Sequence, residues 1–187
     1  MTHTPEHAIR EWLAHPNLKG PEGRPPPFRL LPETVRFVKQ GGEPDRQLWY
    51  VTHDADGGPS GIAHWHWIVL VSREEPGRWS AYGVAGNGGA GDLPGRGFSW
   101  ANLGGNWGPH GFRAGGTVED PGNGVSHVRL TDSEGRTFED TVDDGVVLFI
   151  SDEPVAMPMR VDLLDPEGRV IATDEWGLRG RVAFEPQ

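Results

Sequence analysis

The chain has no cysteine. Disulfides, thiolate metal sites and a cysteine nucleophile are therefore excluded. Lysine is almost missing too: Lys19 and Lys39 stand against fifteen arginines. No long apolar run exists. The longest, Trp67–Val71 and Val146–Ile150, are five residues each, far short of the ~20 that a membrane-spanning helix needs. Met1–Arg10 is polar and lacks the apolar stretch of a secretory signal. A soluble, cytoplasmic protein with no membrane partner is the expectation. Leu, Ile, Val and Phe make up about a fifth of the chain, only just above the composition at which disorder sets in. The core is therefore lean.

Turn formers are abundant. Gly (28) and Pro (17) together reach about a quarter of the 187 residues, which favours many turns over long helices. The charge is acidic, 27 carboxylates against 17 basic groups, net −10. It is also uneven. Residues 1–116 carry eleven groups of each sign, whereas residues 117–187 carry sixteen acidic and six basic ones. Such a C-terminal part repels phosphate backbones, so nucleic acid is not an expected partner. It suits a solvated surface, or docking onto a basic protein.

One helix is expected, over 4–15. Thr4 can cap it and Pro5 fits its first turn. Ala8, Ile9, Trp12 and Leu13 fall on one face, and His15-Pro16 ends it. Residues 16–27, with five prolines and two glycines, read as an extended linker. From there the period is close to two. Strands are expected between 33 and 85, over 33–39, Gln47–His53, Ile62–Ser72 and Arg78–Ala85. Turn chemistry such as Asp54-Ala55-Asp56-Gly57-Gly58 separates them.

Residues 86–116 contain twelve glycines, with Phe98, Trp100, Trp107 and Phe112 scattered among them. This composition suggests an ordered but irregular segment pinned by its rings. Strands resume over 117–187, at Ser126–Thr131, Arg136–Val142, Val146–Ile150, Met159–Leu164 and Arg169–Thr173. Here the sequence echoes itself. Val128-Arg129-Leu130-Thr131-Asp132-Ser133-Glu134-Gly135-Arg136 resembles Val161-Asp162-Leu163-Leu164-Asp165-Pro166-Glu167-Gly168-Arg169, as expected of two similar hairpins whose Gly supplies a positive φ. The whole reads as a mainly β, antiparallel β-sandwich, with a flattened barrel as second choice and one short N-terminal helix. A single domain over 1–187 is expected, with a split near 116 as the alternative.

The most specific chemistry lies in Ala63-His64-Trp65-His66-Trp67. On a strand alternate residues share a face, so His64 and His66 point one way and the two tryptophans the other. Two imidazoles on one face are half of a metal site. His53, His110 or a carboxylate such as Asp54 could complete it. Gly86-Asn87-Gly88-Gly89-Ala90-Gly91 spells G-x-G-x-x-G, but the following Asp92-Leu93-Pro94-Gly95 opens no helix to hold a pyrophosphate. An EF-hand at Asp54 fails because its last ligand position is Trp65. No G-x-S-x-G elbow is present.

Two functions are compatible with this reading. The first is a non-catalytic binding or interaction protein without a cofactor, taking a protein or small ligand through Phe98, Trp100, Trp107 and Phe112 and through the acidic C-terminal face. The second is a metal-dependent enzyme that holds a divalent transition metal at His64 and His66, with His53 or His110 completing the shell.

Overall fold

The computed structural model describes residues 3–14, 29–57, 61–75, 77–90, 98–108 and 111–177. The expected linker at 16–27 and His110 lie outside them. The chain divides into two compact units, 1–94 and 95–187, so the division falls upstream of the charge shift near 116.

The first unit begins with α1 (Pro5–Ala14). Thr4 caps it: its hydroxyl accepts the His7 N–H at 3.2 Å and its carbonyl accepts the Ala8 N–H at 3.1 Å, satisfying donors that a helix start leaves open. Ala8, Ile9 and Leu13 are buried. They pack on Trp49, Val51, Val69 and Val71, which alternate along β3 (Arg46–Asp56) and β4 (Ile62–Glu75). Burying a Leu or Ile side chain contributes about 1.5–3 kcal/mol, more than a ten-residue helix gains from local propensity. The antiparallel sheet also contains β1 (Arg29–Leu30), β2 (Arg36–Glu43) and β5 (Arg78–Ala90), and it curls into a half-barrel. β3 runs through Asp56, so Asp54 belongs to a strand and not to the expected turn.

The second unit is a sandwich of two antiparallel sheets. One has the order β10-β7-β6 and the other β12-β11-β8-β9. Their strands are β6 (Trp100–Gly108), β7 (Gly111–Glu119), β8 (His127–Thr131), β9 (Thr137–Thr141), β10 (Val146–Ser151), β11 (Met159–Leu164) and β12 (Val170–Trp176). Phe112, Ala114, Val147 and Phe149 of the first sheet meet Val128, Leu130, Val161 and Leu163 of the second in one core.

The segment 86–116 is a correction to the sequence reading. It is not irregular: its described residues fall largely in β5, β6 and β7. Glycine hides a strand because it has no side chain to show a period. At 86 and 88 its smallness is required. A Cβ on Gly86 would lie 2.2 Å from the Trp67 ring, and one on Gly88 2.3 Å from the Trp65 ring. The indoles of β4 lie flat over their β5 partners, Trp65 over Gly88 and Trp67 over Gly86.

The two echoing segments are two copies of one turn. In the β8–β9 hairpin the Asp132 carboxylate accepts the N–H groups of Glu134 and Arg136 at 3.0 and 2.9 Å and the Arg136 Nε at 2.8 Å. In the β11–β12 hairpin Asp165 does the same for Glu167, Arg169 and the Arg169 Nε at 3.0, 2.8 and 2.6 Å. Gly135 and Gly168 take φ +87° and +78°. The hairpins join through β8 and β11, where Arg129 pairs with Asp162. These are equivalent positions of the echo, so a local two-fold axis passes between them.

Candidate metal centre

The aromatic residues expected to form a contact surface are not brought together as one. Phe112 has 0% exposure, and its ring packs against Phe138 and Trp176 at centroid distances of 5.5 and 6.0 Å. Trp107, its cross-strand partner, meets Trp176 edge-on at 5.6 Å. Both rings point into the sandwich because residues opposite one another on paired strands share a face. Trp100 is half-buried and donates its Nε1–H to the Glu119 carboxylate at 2.6 Å. Phe98 alone of the four is widely exposed, at 56%.

The histidines divide between the two faces of the first sheet. The β3–β4 register pairs Asp54 with His64, Thr52 with His66, and His53 with Trp65. His64, His66 and Asp54 therefore share one face, and His53 occupies the other. This corrects the grouping of His53 with the pair. The His53 ring lies parallel to Trp65 at 6.5 Å. Its Nδ1–H donates to the Asp54 carbonyl at 3.1 Å, and its Nε2 accepts the Trp67 Nε1–H at 3.0 Å. Both nitrogens are engaged, and burial holds its pKa below the ordinary value. His53 is a neutral core histidine.

On the polar face each histidine of the pair has an oxygen on its Nδ1. His64 Nδ1 lies 2.6 Å from Asp54 Oδ1. A carboxylate only accepts, so this nitrogen carries the proton, and in neutral imidazole the lone pair is on Nε2. His66 Nδ1 lies 2.7 Å from the Tyr50 hydroxyl. Tyr50 is buried, which pushes its pKa up and keeps the phenol protonated. Burial, with the neighbouring His64 and His53, lowers the pKa of His66, which favours the neutral ring that a metal requires. A carboxylate or other oxygen on the far nitrogen is the usual support of a metal-binding histidine. Asp54 is thus placed behind His64, on the nitrogen away from Nε2, and not where a third ligand would stand.

Among the described residues, a second set of metal-capable side chains stands on and before α1. The donor atoms of His3, His7 and Glu11 all lie within 4.8 Å of one another, at i, i+4 and i+8 on and before α1. Their protons point the other way. His3 Nδ1 accepts the backbone N–H of Trp79 at 3.1 Å. Its proton is therefore on Nε2, where it is donated to Glu11 at 3.2 Å. A metal on this Nε2 would have to displace that proton, and the Trp79 amide would lose its acceptor. The cluster is a hydrogen-bonded clamp between helix and sheet, and its two histidines lower the pKa of Glu11.

No family model, no curated protein and no solved structure matches the chain. The H-x-H pair was visible from period two alone. Tyr50 was not, because its approach to His66 is diagonal: Tyr50 is in register with Ile68, two residues along β4. The His3–His7–Glu11 stripe has a four-residue spacing that the sequence alone does not mark as helical. His3 precedes the first helical residue, where helical spacing is not expected to hold.

Proposed function

We propose that the chain is a binding protein and that its first unit holds a divalent transition metal on the Nε2 atoms of His64 and His66. The observation that carries this reading is the pair of oxygen partners on Nδ1, Asp54 for one ring and Tyr50 for the other. They orient both rings, and for His64 they leave the metal-binding nitrogen unprotonated. Zinc commonly takes four ligands, so two histidines leave positions for water or a small ligand. An ion held this way polarises what it binds, which is how the pair would serve an enzyme as well.

The test is metal content and titration on tag-free protein purified without chelator. About one equivalent of zinc is expected at this site in the parent protein, and none in the His64→Ala/His66→Ala variant. Asp54→Asn is expected to weaken affinity by about 10–100-fold, the usual cost of losing a partner behind a ligand. A folded parent protein that takes no metal, or a double variant that binds as well as the parent, contradicts the reading.

A second reading concerns the acidic second unit, which suits a basic protein partner. Arg129, Arg136, Arg160 and Arg169 are each held by a carboxylate of their own hairpin, Glu139, Asp132, Asp162 and Asp165, at 2.9, 2.8, 2.8 and 2.6 Å. Among the described residues no arginine pairs with the exposed Asp144, Glu153 and Glu175. Docking there should weaken as salt is raised. Capture of a basic peptide that is indifferent to salt argues against it.

A further inference from the structure

The polar face of the first sheet carries more than the two histidines. The β2–β3, β3–β4 and β4–β5 registers place Arg36, Thr52, His66 and Asn87 in a single cross-strand row. Partners in register share a face, so all four side chains rise from the same side as His64. Phe37, the next residue of β2, packs on the opposite side in the helix-facing cluster, as the alternation requires.

Apart from His66, each member of the row can donate a hydrogen bond. Arg36 offers a guanidinium, Thr52 a hydroxyl and Asn87 an amide, whose oxygen is already taken by the Gly88 N–H at 2.9 Å. Arg36 is exposed, and among the described residues its guanidinium makes no hydrogen bond or ion pair. Two strand spacings, roughly 10 Å, separate its Cα from that of His66. Only the short Thr52 lies between them. The acidic group nearest the pair in register, Asp54, is already engaged with His64. A row of donors with one unpaired cation, beside an ion with open positions, is complementary to negative charge.

We infer that the ligand taken at this site is a small oxyanion, bound on one side by the metal and on the other by the Arg36 guanidinium. This rests on the metal reading above. A carboxylate or sulfate-like group can bridge the two because guanidinium presents two parallel N–H groups to two oxygens.

Cobalt(II) makes the test direct, since its visible spectrum reports ligand exchange on the ion. The full chain would be loaded with cobalt(II) and titrated with acetate, a planar oxyanion, and with sulfate, a tetrahedral one. Arg36→Gln and Arg36→Lys would be titrated alongside, with thermal melts to establish that they are folded. The parent spectrum is expected to shift with at least one anion. Arg36→Gln should bind cobalt as the parent does while its anion affinity falls about tenfold, the effect of roughly one lost contact. Arg36→Lys should fall between, because charge remains and the fork does not. Two results leave the metal reading intact and overturn the inference: cobalt binding with no anion response, or equal anion affinity in parent and Arg36→Gln. Anion binding that needs Arg36 and not cobalt overturns the joint grip. Failure to bind cobalt at all overturns both.

Discussion

Truncating Phe112 to alanine is expected to cost about 3–5 kcal/mol of stability, the range for removing a buried phenylalanine ring. The side chain has no exposed surface. Its ring touches Phe138 of β9 and Trp176 of β12, in the sheet facing its own. Truncation therefore empties the sandwich at a point where both sheets meet, and the loss joins a cavity term to the transfer term. Phe98→Ala should be nearly silent in the same denaturant unfolding experiment, because that ring is 56% exposed. The pair separates two views of the aromatic segment. If its rings formed a binding platform, both truncations would spare stability and reduce ligand capture. A Phe112→Ala protein as stable as the parent contradicts the core assignment.

The second large effect is expected at Asp132. Its side chain has 0% exposure, and it accepts the N–H groups of Glu134 and Arg136 as well as the Arg136 guanidinium. It also accepts the Ala156 N–H at 3.2 Å, and so ties the β10–β11 connection to the β8–β9 turn. Asp132→Ala leaves these donors without their acceptor, a loss of about 3 kcal/mol for a buried charged acceptor with several partners. Asp165, the equivalent of Asp132 in the twin turn, is expected to matter less. Among the described residues it has no counterpart of the Ala156 bond, and water can replace what it gives up.

The same residue sets an acid limit. Burial raises the Asp132 pKa, but the Arg136 and Ala156 amides, the Arg136 guanidinium and the Glu134 amide outweigh it, and the net shift is downward. A carboxyl with a folded-state pKa below its unfolded value, about 3.9, stabilises fully above that value. The contribution is lost as pH falls through the folded-state pKa. Unfolding free energy should therefore decline below about pH 4, with a shallower decline in Asp132→Asn.

Much of this architecture is legible in the sequence. The helix from Thr4 is signalled by its cap and by Ala8, Ile9 and Leu13. The strand Met159–Leu164 matches β11 residue for residue, since alternation and flanking turns both mark it. The echo around Asp132 and Asp165 proves to be one turn built twice, with its carboxylate, glycine and arginine in the same roles. What was not legible depends on contacts between strands. Gly86 and Gly88 read as loop because glycine shows no alternation, yet the Trp65 and Trp67 rings require glycine there. His53 read as a partner of His64 because it stands on the neighbouring strand. Only the register, with Asp54 and not His53 opposite His64, shows that it faces away.

The proton positions on the histidine rings carry the central claim, and nitrogen-15 NMR of the imidazoles reads them directly. Metal-free protein is expected to show His64 protonated on Nδ1 and His3 protonated on Nε2, as their partners Asp54 and the Trp79 amide require. On adding zinc, the Nε2 resonances of His64 and His66 should move together, reaching their end point near one equivalent, while His3 and His7 stay in place. The opposite pattern, with His3 and His7 responding and the strand pair unmoved, would assign the metal to the helix and contradict the account.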